Sequence, residues 1–181
     1  MRERYGEFSV LAGTEFDKNP VTAIGREWML VTAGTADSWN TLTAAWGGVG
    51  FLWRQPVVFS FIRNSRYTQE FMESSTHFTC SFFDRSWRDA LNFCGSHSGR
   101  DTDKAAATGL TPIALDDVPR VTGSAVGFAQ AETIIVARKL YSGEIAPEDF
   151  SVPDIHELYP NSDYHRMYIG GIEAILKKTD A

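Results

Sequence analysis

Pro56-Val57-Val58-Phe59-Ser60-Phe61-Ile62-Arg63-Asn64-Ser65-Arg66-Tyr67-Thr68-Gln69-Glu70-Phe71-Met72-Glu73 changes character twice along its length. Residues 56–62 are apolar and rich in β-branched and aromatic side chains, the composition of a strand. Residues from about 66 to 75 read as a helix. The corner between them holds two guanidinium groups, Arg63 and Arg66, and the hydroxyls of Ser65, Tyr67 and Thr68. A helix start adds unpaired amides and the positive end of the helix dipole, both favourable to an anion. The stretch therefore predicts a phosphate-binding corner.

Working outward toward the N-terminus, Glu27-Trp28-Met29-Leu30-Val31-Thr32-Ala33 reads as a strand, Gly34 to Ser38 as a turn, and Asn40 to Trp46 as the returning strand of a hairpin. Between the hairpin and the opening stretch lies Gly47-Gly48-Val49-Gly50-Phe51-Leu52-Trp53. It fails as a dinucleotide loop, because Trp53 stands where the third glycine belongs and Pro56 leaves no room for the helix that must follow. Its glycines instead suit a close backbone approach or a barrel corner. Residues 1–25 show weak periodicity, so 1–21 reads as a loosely packed lead-in, with a turn at Lys18-Asn19-Pro20.

On the other side, His77 to Phe83 reads as a strand with Phe78, Cys80 and Phe82 on one face. Asp84 can cap a helix whose apolar stripe is Trp87, Ala90, Leu91 and Cys94, ending at Gly95. Asp101 can cap a short helix through Ala107, stopped by Gly109. The strand pattern then returns at 125–128, 132–140 and 167–176. Regular alternation of strand and helix fails after residue 110, which argues against a doubly wound sheet. The expected fold is mainly β with short helices: an antiparallel barrel in one domain spanning residues 1–181.

At 181 residues, 43% apolar and 13% aromatic, the chain is long enough to bury one sizeable core. A net charge of −6 argues against nucleic acid or an anionic membrane as partner, so an anionic ligand needs a local cationic cluster. Clusters stand at Arg63/Arg66 and at Ser98-Gly99-Arg100 with Lys104. Residues 144–163 hold six carboxylates and no Lys or Arg, and read as a solvated excursion. No run has the length of a signal or membrane-spanning segment, and Cys80 and Cys94 are too far apart for a paired motif, so a cytoplasmic protein with reduced thiols is expected. The four histidines lack ligand-like spacing and predict no metal site. Four tryptophans (Trp28, Trp39, Trp46, Trp53) crowd the region of small residues Thr41 to Gly47. Together with the basic corners they suit a flat aromatic ligand carrying a phosphate.

Five blocks carry a resemblance: 28–34, 40–48, Arg63-Asn64-Ser65-Arg66-Tyr67-Thr68, Cys94 to Lys104, and Asp163-Tyr164-His165-Arg166-Met167-Tyr168-Ile169-Gly170. In this order the chain, over roughly residues 22–176, resembles the flavin reductase-like, flavoredoxin-type family. The resemblance implies an FMN-binding split β-barrel of Greek-key type, a homodimer with cofactor sites at the subunit interface. By match to the family's segments, Asn40, Thr41, Thr43, Ala44 and Trp46 would lie along the isoalloxazine ring. Arg63, Ser65, Arg66, Tyr67 and Thr68 would take the phosphate and ribityl chain, and Ser98, Gly99, Arg100 and Lys104 would form a second basic segment. His165 matches a histidine near the last strand, with a structural and a site role both open to it. Gly170-Gly171-Ile172 departs from the family, which often has an acidic residue after the first glycine.

The implied function is an NAD(P)H-dependent flavin reductase, with hydride passing from nicotinamide to FMN and no catalytic side chain required. The alternatives are a flavoredoxin-like electron carrier reduced by a redox protein partner, and a non-catalytic FMN-binding module.

Overall fold

A computed structural model describes residues 3–179. Its strands are β1 (Arg4–Tyr5), β2 (Phe8–Leu11), β3 (Met29–Thr35), β4 (Ser38–Ala44), β5 (Gly47–Leu52), β6 (Gln55–Arg63), β7 (His77–Phe82), β8 (Pro112–Ala114), β9 (Val126–Phe128), β10 (Thr133–Glu144) and β11 (His165–Lys178). Helical segments include α1 (Pro20–Thr22), α2 (Thr68–Ser74), α3 (Arg88–Ser96) and α4 (Lys104–Thr108). The fold is the mainly β, antiparallel split barrel that the sequence predicts.

The strand order β1-β2-β11-β10-β7-β3-β4 forms the body of the sheet, and β6 with β5 joins it through β11. Strand β11 is the hub. One edge pairs with β10, while the other pairs with β6 through His165–Gly171 and with β2 through Ile175–Lys178. Within β10, Ile135 and Ala137 face one apolar cluster with Val31, Phe78, Cys80, Phe82, Tyr168 and Ile175. Ile134 and Val136 face a second with Leu30, Leu115, Phe128, Leu176 and the α3 residues Leu91 and Cys94. Successive strand side chains point to opposite faces, so this two-sided burial explains the unbroken apolar run at 134–137.

The β3–β4 hairpin forms as expected, with Thr35 paired to Ser38. Gly34 takes φ 119°, and a Cβ there would run into the Ser38 carbonyl and the Trp39 backbone, so only glycine fits. Other expectations need correction. The lead-in is not loose: Phe8, Val10 and Leu11 are buried and β2 is a strand of the main sheet, held by β11. Residues 47–52 are not merely a glycine corner but the edge strand β5, joined to β6 through Trp53 and Arg54 at φ 48° and 62°. Helix α2 starts at Thr68 and not near 66. Asp84 caps a 3-10 turn that leads into α3, which runs past Gly95 to Ser96. The cap of α4 is Asp103, whose carboxylate accepts from the Ala106 amide, and not Asp101. Gly109 ends α4 at φ 74°, as its position suggests. Among the described residues no helix is long and apolar enough to cross a membrane.

Candidate functional site

The two sides of the split in the barrel, β4 and β6, border a cleft of about 200 Å³ lined by Leu42, Thr43, Ala44, Ala45, Trp46, Phe61, Ile62, Arg63, Arg66 and His165. A second hollow of about 140 Å³ lies at the start of α2, where Ser65 to Thr68 face Asn40, Ser96 to Gly99 and Lys104. Arg66 lines both. The cleft is apolar along its β4 and β6 walls, and the hollow is polar and cationic.

Position along β4 decides what each residue offers. Thr43 and Ala44 border the cleft, and the Thr43 hydroxyl donates to the Leu91 carbonyl at 2.5 Å, tying β4 to α3. Thr41 does not reach either space: it is fully buried, and its hydroxyl donates to the Val31 carbonyl at 3.1 Å and lies 2.8 Å from that of Thr32. The Asn40 amide donates to the Thr68 hydroxyl at 2.8 Å and lines the hollow. A Cβ on Gly99 would overlap that Asn40 amide, so the 98–100 loop presses its bare backbone into the hollow. Of the four clustered tryptophans only Trp46 faces the cleft. Trp39 packs edge-on to Phe128 in the core, Trp28 lies under the Arg88 guanidinium, and Trp53 sits on the exposed hairpin tip against Tyr141.

The corner owes less to its helix than the sequence suggests. Helix α2 is only seven residues long, so its dipole is small. The Arg66, Gln69 and Glu70 amides already donate to the Arg63, Arg66 and Tyr67 carbonyls. Among the described residues the Tyr67 and Thr68 amides have no acceptor. Side chains supply most of the positive character. Arg66 is more than half buried and donates to the Gly95 carbonyl at 2.7 Å; burial, then Arg63, lowers its pKa, and Asp163 opposes both. Lys104, at 5% exposure, donates to the Thr41 and Cys94 carbonyls at 2.7 and 2.9 Å. Burial brings its ammonium down to about 8, against the influence of Cys94 and with that of Arg66. Arg100 is not drawn into the hollow: it pairs with Glu70 and lies over the Tyr67 ring at 4.6 Å.

The acidic excursion is more than a solvated loop, and this is what the sequence reading missed. Residues 158–165 fold back over the cleft. Tyr159 is buried, its ring edge-on to Trp46 at 6.1 Å and beneath the Arg63 guanidinium at 5.6 Å, and its hydroxyl is 3.1 Å from His165 Nδ1. Arg63 also donates to the Leu158 carbonyl at 3.0 Å. Asp163 accepts from the Ser65 amide at 3.3 Å and from its hydroxyl at 2.5 Å. His165 lies 4.9 Å from Trp46, and burial, then Arg63, holds it down to about 4 against Asp163, so the ring is neutral at pH 7. Only the aromatic and acidic composition of 150–164 hinted at this packing. Among the described residues no three His, Cys, Asp or Glu side chains gather as a metal site.

Residues 22–143 match the family model described as a flavin reductase like domain. No curated protein matches the chain. Solved structures show the same fold at low identity. The flavoredoxin of Desulfovibrio vulgaris (Miyazaki F) is 22% identical over 84% of this chain and 69% of its own, with a TM-score of 0.62. An FMN-binding protein from Thermus thermophilus is 18% identical over 98% and 81%, with a TM-score of 0.61. An NADH:FAD oxidoreductase from Streptomyces globisporus C-1027 is 12% identical over 83% and 74%, with a TM-score of 0.58. The family match spans two thirds of the sequence and takes in β4, β6, α2, α3 and α4, the elements that build the cleft and its corner; the chain belongs to the flavin reductase like domain family.

Proposed function

We propose that the chain is a single domain over residues 1–181 that binds FMN and acts in the cytosol, as a homodimer, as an NAD(P)H-dependent flavin reductase. The observation that carries this reading is the joining of an apolar cleft to a cationic hollow through one shared side chain, Arg66. The residues present fit FMN. Ala44, Ala45, Trp46, Phe61 and His165 offer a flat apolar slot for a ring system, and Asn40, Ser65, Thr68, Ser98, Arg66 and the free Tyr67 and Thr68 amides offer donors for a ribityl phosphate. The bare backbone of Gly99 leaves room that any side chain would fill.

Bound there, the flavin would supply the two-electron redox chemistry that no side chain of the site has. The protein's part is placement. Thr43, tied to Leu91, fixes β4 against α3, and Lys104 fixes the same two elements lower down. Neutral His165 and Tyr159 close the inner end without adding charge. Trp46 is 42% exposed, and Phe51 on the edge strand β5 and Trp53 in the turn that follows it are exposed as well. A second copy covering this margin would exclude water and complete the slot. The buried, unpaired thiols of Cys80 and Cys94 suit a reducing compartment.

Purified protein mixed with FMN should take up the cofactor and show its visible absorbance; no uptake would end the proposal. With FMN bound, anaerobic addition of NADH or NADPH should bleach the yellow colour within seconds. Binding without bleaching by either nucleotide would instead mark a carrier served by a protein donor. Gly99→Ala, which drives a methyl into Asn40, is expected to cost about 1–2 kcal/mol of stability in urea titrations, with weaker FMN uptake. An unchanged urea midpoint would mean that the loop yields freely.

A further inference from the structure

The anion corner already holds an anion of the protein's own. Both oxygens of Asp163 are taken up by Ser65, one by the amide and one by the hydroxyl, which are donors a phosphate would use. The same carboxylate is the opposite charge that acts on Arg66 and on His165. Just upstream the backbone is strained. Asn161 and Ser162 both adopt left-handed conformations, φ 63° and 58°, and both are exposed. Ser gains little from that region of the map, so the pair stores strain next to the carboxylate. Tyr159, by contrast, is anchored between Trp46, Arg63 and His165. The strap is thus fixed at Tyr159, with two strained residues just before Asp163. This part of the chain lies beyond the span of the family match.

Resting on the reading of the corner as the phosphate site, we propose that Asp163 determines flavin specificity by competing with the phosphate for Ser65. A phosphomonoester carries roughly −1.5 to −2 charges at pH 7 and cannot share Ser65 with a carboxylate at hydrogen-bond distance. FMN enters only as Asp163 swings away, so its apparent affinity is reduced by the fraction of molecules in which the corner is free. Riboflavin ends in a hydroxyl, which can donate to Asp163 and leave it in place. The carboxylate therefore narrows the preference for FMN over riboflavin that Arg63, Arg66 and Lys104 would otherwise impose.

The test is the ratio of riboflavin to FMN dissociation constants, measured by quenching of flavin fluorescence in the wild-type protein and in Asp163→Asn. The asparagine keeps the size of the side chain and an acceptor for the Ser65 hydroxyl but loses the charge. The ratio should rise about tenfold in Asp163→Asn, through tighter FMN, with riboflavin changed less than about twofold. Asp163→Ser, which also removes the charge, should give the same shift if the asparagine variant folds poorly. Equal changes for both flavins, or none, would overturn the role of Asp163 while leaving the FMN site standing. Failure of wild-type protein and variants alike to bind either flavin would overturn the site itself, and this inference with it.

Discussion

Arg66→Ala is expected to weaken FMN binding by about 1.5–3 kcal/mol, roughly ten- to a hundredfold, while riboflavin affinity falls by less than about threefold. The asymmetry follows from where the side chain sits. Its guanidinium lines both the apolar cleft and the cationic hollow, and it stays charged although burial and Arg63 lower its pKa. A charge-assisted hydrogen bond to phosphate has no counterpart in riboflavin, so the loss appears only with the phosphorylated ligand. The variant also frees the Gly95 carbonyl, which costs some stability of its own. A melting curve alongside the titrations separates the two effects. Equal loss of affinity for both flavins would show that the phosphate sits elsewhere.

A second large effect belongs to Lys104, and its sign differs between stability and binding. Burial brings this ammonium from 10.5 down to about 8. Between those values the unfolded chain holds the proton and the folded chain has released it, so stability rises with pH across that window. The shift corresponds to about 3 kcal/mol, reached near pH 10.5 and absent below pH 8. The wild-type stability minus that of Lys104→Met should therefore be flat up to pH 8 and climb above it. The difference is needed because Tyr168, whose pKa burial and Glu73 raise, pulls the other way near pH 10. Over the same window FMN affinity should fall, since a positive charge beside the corner is lost. A flat difference curve from pH 8 to 10.5 would mean that Lys104 bears no burial cost.

What the sequence made legible, and what it hid, divides by the range of the interactions. The β3–β4 hairpin was readable because apolar alternation and the Gly34 turn are local signals. The family blocks pointed to both walls, and of the fifteen residues they assigned to the cofactor all but Thr41 and Arg100 line the cleft or the hollow. Strand β5 was not readable: Gly47, Gly48 and Gly50 have low strand propensity, and only pairing with β6 makes them extended. β2 was missed for a related reason, since four residues give too short a period and its partner is β11, more than 160 residues away. Thr41 and Arg100 were assigned to the cofactor by their blocks, yet Thr41 is buried with its hydroxyl held by Val31 and Thr32, and Glu70 holds Arg100 outside. The folded-back strap left only a faint compositional trace, the aromatic and acidic residues of 150–164. Ser65 meets Asp163 across 98 positions, and nothing in either segment's composition announces the meeting.

Because β11 pairs with β10, with β6 and with β2, the barrel cannot close while residues 165–178 are still inside the ribosome. Until then β6 and β2 lack the neighbour they share, and the apolar side chains destined for both clusters remain open to water and to other nascent chains. A topology of such distant pairings folds slowly, and only once β11 has left the ribosome. Its yield in a cell should depend on chaperone supply and on growth temperature more steeply than its final stability would suggest.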